Sequence, residues 1–220
     1  MTELEAIKNR HAVRDYLDKG LSREVVASLQ EELQKCNQDG QLHFQLITEN
    51  ADAFKSFLPV FGRFKNVKNY IALVAKKQKK MYELCGYYGA DIMIRAQQMG
   101  LNTCFVTGSY HGKKCPVSLA EGEELIGVIA IGYGKTSGKP HKSKDVESLC
   151  KPCNSEWFKN GMRAAILAPT GYNKQHFFIE SNGTKVSLRA TDDRAMSQID
   201  KGIIKYHFEV GAGKENFQWA

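Results

Sequence analysis

Ala164-Ala165-Ile166-Leu167-Ala168-Pro169-Thr170-Gly171-Tyr172-Asn173-Lys174-Gln175-His176-Phe177-Phe178 runs from an apolar helix end, through a polar turn, into a strand. Pro169 and Gly171 stop the helix, because proline lacks the donor that a helix interior needs and glycine tolerates the turn. Thr170, Asn173 and Gln175 then gather side-chain donors and acceptors on one loop, as scaffolds do when they present polar groups to a ligand. The same residues would also serve as an ordinary helix-to-strand connection. The rest of the chain decides between the two.

With 220 residues, 42% hydrophobic and 25% charged, the composition is that of a globular protein with a real core. Length allows one domain or two. No apolar run approaches the roughly 20 residues that cross a bilayer. The start, Met1-Thr2-Glu3-Leu4-Glu5, lacks the basic-then-apolar order of a signal peptide. A cytoplasmic protein without a membrane partner is therefore expected. The net charge of +7 suits nucleic acid, an anionic cofactor or plain solubility. Its lysines are spread out apart from Lys76-Lys77-Gln78-Lys79-Lys80, and aromatic residues are not interleaved with them as single-strand binding requires. No nucleic-acid partner is expected.

Six cysteines do not make a disulfide scaffold in a chain of this size. Cys36, Cys85 and Cys104 sit among apolar residues and read as core. Cys150-Lys151-Pro152-Cys153 is a C-x-x-C, open to a zinc or a redox reading. No second pair completes a zinc site, and Cys115 and His111 are weak substitutes, so no metal site is expected.

In chain order, Thr2 and Glu5 fit a capping box at the start of a short helix. Arg10-His11-Ala12-Val13-Arg14-Asp15-Tyr16 follows, its two arginines either sharing a helix face or flanking a bend, and able to clamp a phosphate or to pair with acidic neighbours. Ser22 caps a second helix that carries Val25, Val26, Leu29 and Leu33 on one face and ends at Gly40, before a strand over 42–47. An aromatic stretch with Phe57, Phe61 and Phe64 leads to a buried strand over 70–75. A long helix over 78–99 closes at Gly100. Residues 101–106 then lead into the turn Thr107-Gly108-Ser109, and 124–131 form the clearest strand. Strands and helices without regular alternation indicate an α+β protein, an antiparallel or mixed sheet packed with helices.

Part of this order recurs. A helix over 156–167 and a strand over 175–179 repeat the helix and strand over 23–46, matching His176-Phe177 to His43-Phe44. More loosely, 202–211 resembles 91–100. The chain thus divides into an N-terminal lobe over 1–145, a linker over 146–155 and a shortened C-terminal lobe over 156–220.

These residues carry a family resemblance. Arg10-His11-Ala12-Val13-Arg14-Asp15-Tyr16 resembles the R-x-[SA]-x-[RK]-x-[FY] signature of the FMN-dependent nitroreductase family, and Ala168-Pro169-Thr170-Gly171-Tyr172-Asn173-Lys174-Gln175 its A-P-S-x-x-N-x-Q signature. Residues 89–108 are similar to its long helix and following turn, and 129–134 to its last core strand. In ordinary members the A-P-S segment lies a few tens of residues after the arginines. Here Cys36-Asn37-Gln38-Asp39-Gly40 holds that place, and the A-P-T copy comes far downstream. That order resembles the single-chain subgroup called putative TM nitroreductases, in which an internally duplicated pseudo-dimer replaces the family homodimer. A monomer is then expected to suffice for cofactor binding, with further dimerisation open.

The resemblance implies roles. Arg10, His11, Ala12 and Arg14 correspond to positions that hold FMN's phosphate, ribityl chain and pyrimidine edge. Lys142 and Lys144 correspond to a basic pair that closes on the phosphate, Thr107 and Gly108 to the turn facing flavin N5, and Asn66 to an asparagine near the ring. Pro169, Thr170, Gly171 and Asn173 would reach the flavin from the second lobe. The chain departs from the pattern at Ala12, which lacks a hydroxyl, at His176 in place of proline, and at Lys144, which keeps charge without the guanidinium fork. The implied activity is an FMN-dependent NAD(P)H oxidoreductase. It works by ping-pong hydride transfer through flavin N5 to a small nitro- or quinone-type acceptor, with no catalytic side chain. The alternative is a flavin- or nucleotide-binding protein without turnover.

Overall fold

The computed structural model describes residues 1–55 and 64–220; Phe57 and Phe61 of the aromatic stretch lie outside them. Packing groups the chain discontinuously. Asn9–Met81 and Asp91–Pro140 form one unit, while His141–Ala220 is joined by Met1–Lys8 and Tyr82–Ala90 in another.

The first unit is built on an antiparallel sheet of β1 (Gln45–Ile47), β2 (Asn69–Lys76), β3 (Asn102–Val106) and β4 (Glu123–Gly132), in the order β1-β2-β4-β3. Every residue of β2 but Lys76 is buried, which is why its sequence is apolar without alternation. The register between β2 and β4 slips between Leu73 and Val74. One face carries a core that includes Val13, Tyr16, Val67, Tyr70, Cys104, Val128 and Ala130. The Tyr16 hydroxyl donates to the Val13 carbonyl at 2.8 Å, so the phenol is satisfied inside that core.

Helix α1 (Glu3–Asn9) starts with the expected capping box: the Thr2 amide donates to Glu5 at 2.7 Å, and the Glu5 amide to Thr2 Oγ1 at 3.2 Å. It ends before Arg10, and the arginine segment that follows is extended, with Ala12 bridging to Thr103 on β3. Arg10 and Arg14 therefore do not share a helix face. Helix α2 (Arg23–Gly40) is capped by Ser22, whose Oγ accepts from Val25. Its left-handed stop is at Gln41, φ 51°, one residue past the expected glycine. Asn37 explains the shift, since its side chain donates to Phe44 O and accepts from Phe44 N, fixing the reversal and shortening the following strand. Helix α3 (Met81–Gln98) starts three residues later than its periodicity suggests and stops at Gly100, φ 78°.

The second unit holds α4 (Glu156–Ala165), α5 (Ala195–Ala212) and a mixed sheet of β5 (Phe177–Asn182), β6 (Lys185–Ala190) and β7 (Gln218–Trp219). β5 and β6 are an antiparallel hairpin, and β7 pairs parallel to β6. Phe158, Phe208, Phe217 and Trp219 pack edge-on or tilted, with Trp157 stacked on Phe217. In this unit the first half of α3 crosses α5 at two glycines. A Cβ at Gly86 would lie 2.0 Å from the Ile199 carbonyl oxygen, and one at Gly202 would lie 1.9 Å from that of Glu83. The contact is reciprocal, each glycine meeting the residue three positions before the other, as at an isologous interface. It matches Gly86 with Gly202, where the sequence likeness pairs Asp91 with Gly202.

Candidate functional site

Helix α4 ends at Ala165, and residues 166–175 turn back to β5 through a loop whose polar groups are almost all engaged. Gln175 is its organiser. Buried to 1% exposure, it accepts from the Lys144 amide at 2.7 Å through Oε1 and donates to the Ile166 carbonyl at 2.9 Å through Nε2. Its own amide donates to Thr170 Oγ1 at 3.1 Å, and its carbonyl accepts from Lys144 Nζ at 3.2 Å. Asn173 Nδ2 donates to the Lys142 carbonyl at 2.8 Å. Ser143 and His141 also bond to the Ile166 carbonyl. Four of the expected positions, Lys142, Lys144, Thr170 and Asn173, are thereby tied into one set of bonds around Gln175 and its neighbours, with Pro169 and Gly171 on either side of Thr170 in the chain. Both lysine side chains stay exposed.

This loop carries unusual backbone. Tyr172, Asn173 and Gln175 have φ of 52°, 53° and 47°, a left-handed region that non-glycine residues enter at a cost. Gly171 is held from α5, its N–H donating to both Asp200 carboxylate oxygens at 3.0 Å. Met196 covers the same glycine; a Cβ there would come within 2.3 Å of its sulfur. Burial, with some help from the neighbouring Asp192 charge and against the Gly171 hydrogen bond, raises the Asp200 carboxyl to about 6.

In the other unit, Arg10 is only 4% exposed, and its Nε and Nη1 find no hydrogen-bond partner among the described residues. Burial pulls its guanidinium down to about 10, with the Cys104 thiol nearby acting slightly the other way. His11 is half-buried, while Ala12 and Arg14 are exposed. Gly138 closes on this segment: a Cβ there would lie 2.8 Å from that of His11. Thr107 and Gly108 follow β3, the strand to which Ala12 bridges, and a Cβ at Gly108 would meet nothing within 4 Å. Asn66, φ 55°, donates to the Tyr16 carbonyl at 3.1 Å, so its side chain serves the backbone of the arginine segment.

In the sequence Gln175 stands out only as a loop residue with no assigned role, and Asp200, His141 and Ser143 do not stand out. Gln175 stands inside the quoted motif; Asp200 has no signal but its place on an apolar helix. A groove of about 360 Å³ between α2 and β1, lined by Leu33, Asn37, Phe44 and Leu46 among others, contains none of the candidate residues. In the C-x-x-C, Cys150 is buried and its thiol donates to Val146 O, while Cys153 is half-buried. Burial pushes up on Cys153, but hydrogen bonds from Ser181 and Ser155 outweigh it and leave the thiol below its ordinary value. Among the described residues no group of three or more His, Cys, Asp or Glu could hold a metal ion, and no helix is long and apolar enough to cross a membrane.

The family model described as Putative TM nitroreductase matches residues 3–212. The chain belongs to this family. Solved nitroreductase structures share its α+β fold. A protein from Thermotoga maritima MSB8 described as a putative nitroreductase is 22% identical, with a TM-score of 0.66, over 98% of this chain and 85% of its own. One from Desulfovibrio desulfuricans, solved in complex with FMN, is 16% identical with a TM-score of 0.56, over 70% of this chain and 99% of its own. A nitroreductase family protein from Streptococcus pneumoniae TIGR4 is 13% identical with a TM-score of 0.55, over 69% and 100%. No curated protein sequence matches the chain.

Proposed function

We propose that this nitroreductase-family chain is an FMN-dependent oxidoreductase that takes electrons from NADH or NADPH and delivers them to a small, electron-poor acceptor. The observation that carries the reading is Arg10. A guanidinium that is 4% exposed with two unpartnered donors is expensive unless an anion completes it, and a phosphate monoester is such an anion. The family match and the FMN bound by the Desulfovibrio desulfuricans neighbour support the choice of anion.

The residues assigned to the cofactor are Arg10, His11, Ala12, Arg14, Asn66, Thr107, Gly108, Lys142, Lys144, Pro169, Thr170, Gly171 and Asn173. The donor set fits: Arg10 is desolvated, Arg14, Lys142 and Lys144 are exposed cations, and the space beside Gly108 is open. Each charge-assisted bond to the phosphate contributes about 1.5–3 kcal/mol. When bound, FMN supplies two-electron chemistry at N5, between a nicotinamide donor and a nitro- or quinone-type acceptor. The protein's part is to bind, orient and keep positive charge at hand. One chain suffices for this, and the reciprocal contact of Gly86 and Gly202 supports an internally duplicated arrangement in place of two subunits.

The test is reconstitution with FMN, followed by anaerobic addition of each nicotinamide. A yellow protein that bleaches with NADH or NADPH is expected. Bound flavin that neither donor reduces would leave a binding protein without turnover, and no bound flavin at all would end the proposal.

A further inference from the structure

Three left-handed residues within four positions, Tyr172, Asn173 and Gln175, store backbone strain, so the loop keeps its shape only where its surroundings over-determine it. Gln175 supplies the anchors on one side, bonds to neutral backbone groups, to the Thr170 hydroxyl and to Lys144. On the other side stands Asp200. Its carboxylate is bonded to the loop, and it takes the Gly171 N–H symmetrically, 3.0 Å from each oxygen.

We propose that Asp200 is a positioning residue, whose charge state sets how firmly Gly171 is held and so how well Thr170 and Asn173 are presented. A charged acceptor makes a hydrogen bond roughly twice as strong as a neutral one, and protonation also converts one of the two acceptor oxygens into a donor. Acid therefore loosens the clamp. The charges around Asp200 are few: Asp192 ahead of α5, itself held by Arg194 and Ser197, acts on it, while Lys201 and Lys205 are committed to Glu83 of α3. The loop side offers Asp200 the Gly171 amide. Burial brings the carboxyl to about 6, which puts the change of charge within a readily tested range. The consequence for the cofactor, weaker FMN binding below neutral pH, rests on the proposed function; the behaviour of the loop does not.

The experiment follows the Gly171 amide by NMR in ¹⁵N-glycine-labelled protein, assigned by its absence in Gly171→Ala, alongside FMN affinity from pH 5 to pH 8. The Gly171 resonance is expected to titrate with a midpoint near 6 in the native chain and to stay still in Asp200→Asn. FMN affinity should fall about fivefold more on acidification in the native chain than in Asp200→Asn, and Asn should recover part of what Asp200→Ala loses at pH 8. Every other titratable group, FMN's own phosphate included, is common to the native and Asn proteins, so the difference isolates Asp200. A Gly171 amide that ignores pH, or moves equally in both proteins, overturns the proposal. A native chain that binds no FMN but shows the Gly171 titration would sink the functional reading and leave the positioning role standing.

Discussion

The loop over 166–175 and the segment over 10–14 carry candidate cofactor residues of opposite character. In the loop, Gln175, Thr170, Asn173 and Gly171 have partners, and the cost lies in left-handed backbone. In the arginine segment the backbone is ordinary, Ala12 and Val13 lie against Thr103, and the cost lies in a buried cation with donors left over. One region is finished by the protein itself. The other keeps donors that the proposed phosphate would complete. For the proposed cofactor, preorganisation would take two forms: geometry fixed in advance at the loop, and desolvated charge held in advance at Arg10.

Substitutions can break that contrast. The largest effect is expected at Gln175→Leu, which leaves the Lys144 amide unpaired and removes the bond to Ile166; urea unfolding should show a loss of about 2–3 kcal/mol, with FMN affinity falling alongside. A loss under about 0.5 kcal/mol would show that the loop does not depend on this amide. Arg10→Met should act in the reverse direction on the FMN-free protein, raising stability by about 1–3 kcal/mol because an unpaired buried charge is replaced by an apolar chain of similar length. The same variant should lose FMN binding. Destabilisation of the FMN-free protein instead would mean that Arg10 already has its counter-charge, and the contrast would collapse.

Smaller changes sharpen it. Asn173→Ala removes one exposed bond to Lys142 and should cost about 1 kcal/mol or less in unfolding, while FMN affinity drops more than stability does. Gly108→Ala adds a methyl where nothing stands within 4 Å, at a φ that any residue adopts, so stability should change by less than about 0.5 kcal/mol. A fluorescence titration should nevertheless register weaker FMN binding, because the methyl enters the space assigned to the flavin. Unchanged binding would remove Gly108 from the assignment.

Much of the fold is legible from the chain because its signals are local. The capping box of Thr2 and Glu5, the Ser22 cap, the apolar run in β2 and the stop at Gly100 each depend on residues within a turn or a strand of one another. β6 and β7 escape notice since β6 is short and half exposed, and β7 is two residues whose pairing comes from Lys185 and Val186. Gln41 takes the left-handed stop expected at Gly40, because a bond pair between Asn37 and Phe44 fixes the reversal. Of the candidate site, the motif residues stand out by type and order, whereas Gln175's reach to Lys144 and Ile166 is a matter of folding.

From the chain alone one reads an α+β protein, the arginine segment, the A-P-T loop and a family in which both belong. Those follow from residue types at short spacing, which backbone sterics and capping chemistry translate directly. The fold decides what no spacing encodes: that Arg10 is buried with donors to spare, that three non-glycine residues of the loop turn left-handed, that Gly86 and Gly202 let two helices touch, and that Asp200 holds Gly171. Each is a balance between groups far apart in the chain, where burial strengthens every charge and every unpaired donor, and such balances exist only once the distant segments have met.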